Sequence, residues 1–447
     1  MKKILSVLAV AIVATTGNIY AQYSGDALRF SQTNYGSSAR FKGLGNAQIG
    51  VGGDISSLGG NPAGLGLFTR SEFVFTPEFN GTNMDASFLN TKTQTSRSQI
   101  NLNQLGAVFH MPTYRVKGQD TQKGVVSAAI GLGYNRNNDY GLESNFSGTN
   151  TTSSVYNMFN DYSVTPNSTQ AVNVSRTGSV SEFNIAGALN ISNQIYIGAT
   201  LGLVSLKYDY SSMLDEDGIT ANYYINYNQN QITEGSGVNA KLGIIFRPSP
   251  EFRIGANLQT PTWFNIDDSY TESSNDPNVL TSETYDFSYN LRTPLKGSLG
   301  TSYIIGNSAL ISADIDFVDY STIRFSSSDG GNISTIADNN NAVRSSFKSA
   351  VNYRVGGEVK VNNFVSLRAG YGINGSAYKD DKDNHFQTQF YSGGIGYRNK
   401  NYYFDLAYQR VQTNSTFSPY LLSDYSEPVA DVKNEKNNVF LTFGIRF

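Results

Sequence analysis

Few stretches of this 447-residue chain carry residue types that chemistry needs. The run Asp54 to Gly66, DISSLGGNPAGLG, has the glycine density of a phosphate cradle, with Gly59 and Gly64 at loop-like spacing. Leu65 and Gly66 stand where such a loop requires Lys and Ser/Thr, and no strand–helix unit frames it, so phosphate chemistry is not its business. Nucleophilic catalysis needs a base, and the histidines are His110 and His385 alone. No serine nucleophile motif accompanies His110, which sits beside Met111 and Pro112 as a turn or girdle residue would. Bis-histidine haem ligation would need this same distant pair. The clusters Asp215-Glu216-Asp217 and Asp380-Asp381-Lys382-Asp383 offer calcium-type oxygen ligands without a calcium-loop spacing, as ordinary solvated loop charge does. No enzyme activity, cofactor or metal is expected from these motifs.

The elements that would position any site are set by an unusual composition. Lys2 and Lys3 precede the apolar run Ile4 to Ala14, and a small-residue junction closes at Ala21. That order of a charged, an apolar and a polar region marks residues 1–21 as a signal peptide. Its removal takes away two lysines and moves the formal charge from −3 to −5, leaving no electrostatic basis for binding nucleic acid. There is no cysteine, so an exported chain must be stabilised by a large core or a closed sheet. No later apolar run approaches the roughly 20 residues of a transmembrane helix. The 29 Tyr, 26 Phe and 43 Gly, with 15% charged residues, suit strands that face lipid on one side.

Period-2 alternation recurs from about Ser71 to the end. Val238, Ala240, Leu242, Ile244 and Phe246 oppose Asn239, Lys241 and Gly243. Phe252, Ile254, Ala256 and Leu258 oppose Arg253, Gly255, Asn257 and Gln259; Val365, Leu367, Ala369 and Tyr371 oppose Ser366, Arg368, Gly370 and Gly372. Tyr402, Phe404, Leu406 and Tyr408 oppose Tyr403, Asp405, Ala407 and Gln409. An apolar face against a polar or glycine face predicts lipid outside and a polar lumen inside. A soluble sandwich would carry its charge on the outward face and use shorter strands.

Tight turns at Ser192-Asn193, Pro248 to Pro250, Gly306-Asn307, Asn362-Asn363 and Arg398 to Asn401 alternate with long polar stretches. Those stretches are 137–179, 209–235, 261–284, 326–345, 374–387 and 413–436, read as extracellular loops above short periplasmic turns. The spacing predicts an all-β fold, a transmembrane antiparallel β-barrel of about fourteen strands spanning 71–447. The last strand, Asn438 to Phe447, ends on an aromatic residue, as does the signal that bacterial barrel-assembly machinery reads. Closing it on the first strand removes an otherwise sticky edge.

Residues 22–70 do not alternate. A lumen of about fourteen strands is too wide for side chains to fill, and a glycine-rich segment folded inside would block it. Inward-facing Lys241, Arg253, Arg368 and Arg446 could hold a carboxylate, though pairing with Asp314, Asp316 or Asp405 is the more economical expectation for each. Lys241, Arg253 and Arg368 are retained as ligand-binding candidates.

FKGLGNAQIGVGGDISSLGGNPAGLG resembles the N-terminal hatch of the FadL/OmpP1/TodX family of outer-membrane transporters for hydrophobic compounds. The matching residues are Gly43-Leu44-Gly45 with Ala47, Asp54 with Ser56, and Asn61-Pro62-Ala63-Gly64-Leu65. Arg292-Thr293-Pro294, leading into a later strand, is also similar, whereas Gly59-Gly60 departs from the bulkier residues usual there. The resemblance implies uptake of a fatty-acid-like hydrophobic ligand, gating by Asn61, Pro62, Ala63 and Gly64, and sideways release into outer-membrane lipid. It also implies an exit formed by a kink in an early strand, for which Gly131 and Gly133 are candidates. Asn61 is expected to bond backbone within the hatch or on the barrel wall, and Pro62 to fix a turn. The alternative is a general porin or a surface-binding barrel, including one for haem-like ligands, in which residues 22–70 merely narrow the pore.

Overall fold

The computed structural model describes residues 23–114, 120, 122–159, 167–220, 222–276, 280–306, 308–328, 333–422 and 426–447. The expected signal peptide lies outside the described residues.

The described strands form a single antiparallel sheet. Its first members are β1 (Glu72–Phe88), β2 (Thr91–Pro112), β3 (Val125–Asp139), β4 (Leu142–Asn150), β5 (Ser168–Ile191), β6 (Ile195–Gly218) and β7 (Tyr224–Phe246). Next come β8 (Phe252–Gln259), β9 (Trp263–Ser274), β10 (Glu283–Arg292), β11 (Lys296–Ile305), β12 (Ala309–Asp319) and β13 (Arg324–Ser327). The circuit finishes with β14 (Ser349–Lys360), β15 (Val365–Asn374), β16 (Thr388–Arg398), β17 (Tyr402–Phe417) and β18 (Ala430–Arg446).

Four long strands are each interrupted once. β3 and β4 both pair with β5, and β8 and β9 both pair with β7. β11 and β10 continue one another beside β8 and β9, and β12 and β13 beside β11 and β10. Counted as continuous staves, the described strands number fourteen. β18 pairs with β1 from Arg446↔Glu72 to Asp431↔Ser87, which closes the barrel.

Alternation places the apolar set on the outside. Leu242, Ile244, Phe246, Leu367, Phe404 and Leu406 are exposed, whereas Asn239, Lys241, Arg368 and Asp405 are buried. On β6 the belt runs from Ile195 to Leu203, about what a tilted membrane strand needs, and outward Lys207 lies beyond it. β5, β6 and β7 have 24, 24 and 23 residues, so they project well past a hydrocarbon layer of ~30 Å. This corrects the expected loops. Most of 209–235 is strand, with only 219–223 connecting β6 to β7, and much of 137–179 belongs to β4 and β5. Above lipid the polar residues face outward and residues such as Tyr208, Tyr210 and Leu214 face inward, so the lipid-facing alternation no longer advertises the strand. The first hairpin also inverts the expected asymmetry: Leu89 and Asn90, both at positive φ, make a two-residue turn at the outer end.

Candidate functional site

Residues 23–70 pack against the inward face of the wall, and their short helical turns from residue 39 onward are started by side-chain caps. Ser38 caps the helix Ala39–Gly43, and Asp54 caps the 3-10 turn Ile55–Leu58 by accepting the Ser56 N–H at 3.0 Å. The Ser38 hydroxyl donates to Asp54 Oδ2 at 2.9 Å, tying the two turns together. Asn61 caps the turn Pro62–Leu67, accepting the Ala63 N–H at 3.2 Å, with Pro62 at the first helical position, where its fixed φ suits the turn.

Asn61 also reaches beyond its own turn. Its Nδ2 donates to Ile49 O at 2.8 Å and to Ile244 O, on β7, at 3.2 Å. A wall with side chains there would hold the segment off. A methyl group on Gly243 would overlap Asn61 Oδ1, and one on Gly198 would stand 2.5 Å from the Pro62 carbonyl carbon. Across the lumen, the N–H groups of Gln48 and Ile49 donate to Asp314 Oδ2 at 2.6 and 2.9 Å, and the Ala39 N–H donates to Thr442 Oγ1 at 2.8 Å. The segment is bolted to several sides of the barrel at once.

The inward basic residues mostly find carboxylates. Lys241 Nζ lies 2.6 Å from Glu182, with both side chains 1% exposed. Arg368 bridges Glu358 at 2.6 Å and Asp405 at 2.5 Å, and Arg40 of the amino-terminal segment reaches the same Glu358 at 3.0 Å. Arg446 meets Glu72 at 2.8 Å, and Arg354 meets Asp316 at 2.5 Å. Buried pairs of this kind position groups more than they stabilise the fold. Arg253 differs: its Nη1 donates to Val51 O at 2.6 Å, and no carboxylate stands against it among the described residues. Glu182 and Glu358 escaped the sequence reading, although each lies on the inward face of its strand, which was the signal available.

One seam of the wall is incomplete. The β2–β3 ladder runs from Pro112↔Ser127 to Gln104↔Asn135 and stops. Above it β2 stays paired to β1 as far as Thr91, and β4 stays paired to β5, but no ladder joins β2 to β4 among the described residues. Side chains bridge the difference. The Asp139 carboxylate accepts from Gln99 at 2.7 Å and Asn101 at 3.2 Å on β2, and from Arg136 at 2.5 Å and the Gly141 N–H at 2.8 Å on its own stave. Lys436 of β18 donates to the Asp139 carbonyl at 2.9 Å. Higher up, Thr93 donates to the Asn145 carbonyl at 2.7 Å.

The irregularity is not at Gly131 and Gly133, where the kink was expected. Both sit in regular ladder, and both face Leu58, which a methyl group on either would approach to 2.7 Å. Their role is close packing of the amino-terminal segment. The break comes later, with a register shift between Arg136 and Asn138 and an interruption at Tyr140-Gly141.

Two lumen cavities meet at Asn137, beside this break. One, of about 90 Å³, is lined by Lys42, Glu78, Asn80, Arg136, Asp139 and Lys436. The other, of about 30 Å³, has an apolar roof of Phe30, Val180, Val204, Phe264 and Tyr320 over Asn239, Lys296 and Asn352. Above them the outer half of the lumen is an apolar core. Phe30 packs edge-on against Tyr208 at 5.7 Å, Tyr23 against Phe287 at 5.3 Å, and Val343 and Phe347 from the 333–347 region and Tyr420 close the top.

The remaining sequence candidates are scattered. His110 ends β2 near the short connections, whereas His385 lies in the 375–387 connection at the opposite end. Asp215 and Glu216 point to opposite sides of β6: Glu216 is buried and accepts the Val155 N–H at 2.8 Å, and Asp215 accepts the Tyr224 hydroxyl at 2.6 Å. Asp381 accepts the N–H groups of His385 at 2.7 Å and Phe386 at 3.0 Å, closing its own loop. Desolvation pushes its pKa up, but the Ser376 hydroxyl, these two N–H groups and Lys348 outweigh it and hold the carboxyl below its usual range.

Residues 35–437 match the family described as outer membrane protein transport protein (OMPP1/FadL/TodX). Among solved structures, the P. putida toluene transporter TodX is 12% identical, with 92% of this chain and 99% of that one covered and a TM-score of 0.61. A Pseudomonas aeruginosa FadL homologue gives 13%, 93%, 99% and 0.63, and the Ralstonia pickettii toluene transporter TbuX gives 13%, 92%, 99% and 0.54. Likeness at such identities speaks for the fold alone. No curated protein matches the sequence.

Proposed function

Because the chain belongs to the OMPP1/FadL/TodX family of outer-membrane transport proteins, we propose that it takes up hydrophobic compounds and releases them sideways into the outer membrane. Residues 22–70 act as its hatch, with Asn61, Pro62, Ala63 and Gly64 as the part that must shift. It is a transporter and not an enzyme. Fatty-acid-like and monoaromatic compounds both suit a lumen whose outer half is aromatic and apolar.

The observation that carries this reading is the unladdered seam between β2 and β3–β4, opening beside two lumen cavities. An apolar solute gains nothing from a water-filled pore, whereas a lateral route returns it to hydrocarbon at ~0.8 kcal/mol per CH₂. In an intact ladder such an exit would break several backbone hydrogen bonds in lipid, which is prohibitive. Here the bonds that have to part are made by side chains, those of Asp139 and, higher up, of Thr93 and Thr95 to Asn145. Release into outer-membrane lipid therefore needs no strand to leave the sheet. Phe447, whose N–H donates to Ser71 O at 3.0 Å while its side chain stays exposed, is the residue offered to barrel-assembly machinery.

The test is uptake of a radiolabelled long-chain fatty acid and of toluene by cells lacking the protein, with and without the wild-type chain restored. Restoration for at least one compound, together with low single-channel conductance in planar bilayers, is expected. A large steady conductance without selective uptake would point instead to a porin narrowed by residues 22–70.

A further inference from the structure

We propose that the short-connection end of the lumen holds an oxyanion site, formed by Arg253, Arg398, Lys360 and Arg40, that takes the phosphate or carboxylate head of an amphiphile from the periplasmic side. A cavity of about 250 Å³ lies there, between residues 51–53 of the amino-terminal segment and the lower ends of β8, β11, β12, β14 and β16. Four cations from four separate elements line it, and its one acidic neighbour is Glu358. That carboxylate is already taken. It accepts Arg40 Nε at 3.0 Å and Nη2 at 3.2 Å, and Arg368 Nε at 2.6 Å.

The other three cations are left unbalanced. Arg253 makes one hydrogen bond, to Val51 O, and its Nε is buried with no partner. The Arg398 guanidinium rests 5.0 Å from the centre of the Tyr403 ring, and the acid that bears on it, Asp405, is already paired with Arg368. Lys360 is exposed at the rim. Elsewhere in the lumen Lys241, Arg354, Arg368 and Arg446 each face a carboxylate, while Lys42 and Lys296 are buried singly over the Phe440 and Tyr35 rings; here alone several such cations line one cavity among those described.

Gathered cations in a partly enclosed, low-dielectric space attract an anion strongly, and guanidinium forks match the geometry of phosphate and carboxylate oxygens. A bound oxyanion would compensate the Arg253 guanidinium charge, which no carboxylate faces among the described residues. Apart from Ser308 and two glycines, the remaining lining is apolar: Val51, Leu67, Ile304, Ala309 and Leu310. That mixture suits a charged head with an attached hydrocarbon stem better than a fully hydrated ion. The rim lysine would steer it in. Because Arg253 holds Val51, and Arg40 belongs to the same segment, occupancy bears directly on the hatch.

The site does not depend on lateral release, and its test is separate. Inorganic phosphate and dodecyl phosphate, which share a head and differ by a tail, are titrated into the full chain in neutral detergent by calorimetry. Saturable, salt-weakened binding of dodecyl phosphate is expected, weakened about tenfold by Arg398→Gln or Arg253→Gln. Heat-modifiable gel mobility checks that both variants remain folded barrels, and Arg398, half-buried at a strand end, is the gentler of the two. Tighter binding of dodecyl phosphate than of inorganic phosphate supports an amphiphile. Equal binding overturns the amphiphile, and no saturable binding, or binding unchanged in both variants, overturns the site. Loss of fatty-acid or toluene uptake with binding intact would concern the transport reading only.

Discussion

The barrel has two kinds of seam. Between β5 and β6 the ladder is unbroken over 24 residue pairs, from Ser168↔Gly218 to Ile191↔Ile195. Between β2 and β3 it covers nine pairs and gives way to side chains gathered on Asp139. The amino-terminal segment is seated against both. Against β6 and β7 its backbone touches the wall at Gly198 and Gly243, and hydrogen bonds fix it: Asn61 to Ile244 O, and Thr200 Oγ1 to Leu58 O at 3.1 Å. Against β2 and β3 it offers apolar side chains, with Leu58 over Gly131 and Gly133, and Ile55 beside Gly106, but it is hydrogen-bonded there as well: Asn103 Nδ2 donates to Ser37 O at 2.5 Å and the Asn34 N–H to Asn137 O at 3.0 Å. The segment is held on both sides, so the two seams differ in the wall itself. A backbone ladder opens only cooperatively, whereas a side-chain bridge can part locally, so movement is confined to the weaker seam.

Several experiments would break or sharpen this contrast. The largest effect is expected from Gly198→Leu. The new side chain must collide with the Pro62 backbone, so the segment should leave its seat and the planar-bilayer conductance should rise from near zero to a steady open level. Unchanged conductance would mean that the segment does not depend on its seat against β6 and β7.

Asp139→Ala comes next. It strips four bonds to the carboxylate and leaves Arg136 uncompensated, a change of roughly 3–5 kcal/mol for a buried charged group. Amide exchange in residues 92–103 of β2 should accelerate by two orders of magnitude or more, with β5 and β6 unaffected. Equal acceleration on both sides would erase the distinction between the seams.

Asn61→Ala removes a helix cap and two further hydrogen bonds, at about 1–3 kcal/mol. Proteolysis of the detergent-solubilised protein within residues 44–68 should quicken while the barrel stays resistant, and hydrophobic uptake should change with it. Uptake unchanged by the substitution would remove Asn61 from the gating set.

Acid provides a control away from both seams. The Asp381 pKa is depressed, so its contribution to the 375–387 loop is complete above the ordinary carboxylate value, about 4, and fades as pH falls through the lower folded value. Exchange in that loop should rise only below about pH 4. A rise near pH 6 would show that another group controls it. Smallest of all is Thr177→Ala, which deletes an exposed 3.2 Å bond to Asp209 across the β5–β6 seam. A backbone-laddered seam should tolerate it within about 0.5 kcal/mol by thermal melting.

How much of this was legible in the sequence follows the membrane. Where one face of a strand meets lipid, as from Val238 to Phe246, alternation reveals strand, face and direction together. Where β5, β6 and β7 rise above lipid, the pattern inverts, with Leu206, Tyr208, Tyr210 and Leu214 inward and Lys207 and Asp209 outward, and residues 209–235 read as loop although they are mostly strand. The glycine-rich run was recognisable as tight packing because it lacks the residues a phosphate loop needs. The basic lumen residues were visible by parity, but their fates were not. Arg368 pairs with Asp405, an acid that parity also turns inward, and Lys241 pairs with Glu182, inward by the same parity but distant in the chain.

The seam was the least legible feature. Gly131 and Gly133 looked suited to a kink because glycine permits one, yet they serve to admit Leu58, and the break falls among Asn137, Asn138, Asp139 and Tyr140. By itself the sequence determined a lipid-facing barrel, its closing strand and a compact glycine-rich segment to fill it, because solvent and lipid act on each residue locally through hydrophobicity and backbone freedom. Only the tertiary structure decided which cations remain unpaired, which ladder stops short and which carboxylate spans the space. Those depend on register between strands far apart in the chain, and a one-residue shift would have given each side chain different neighbours.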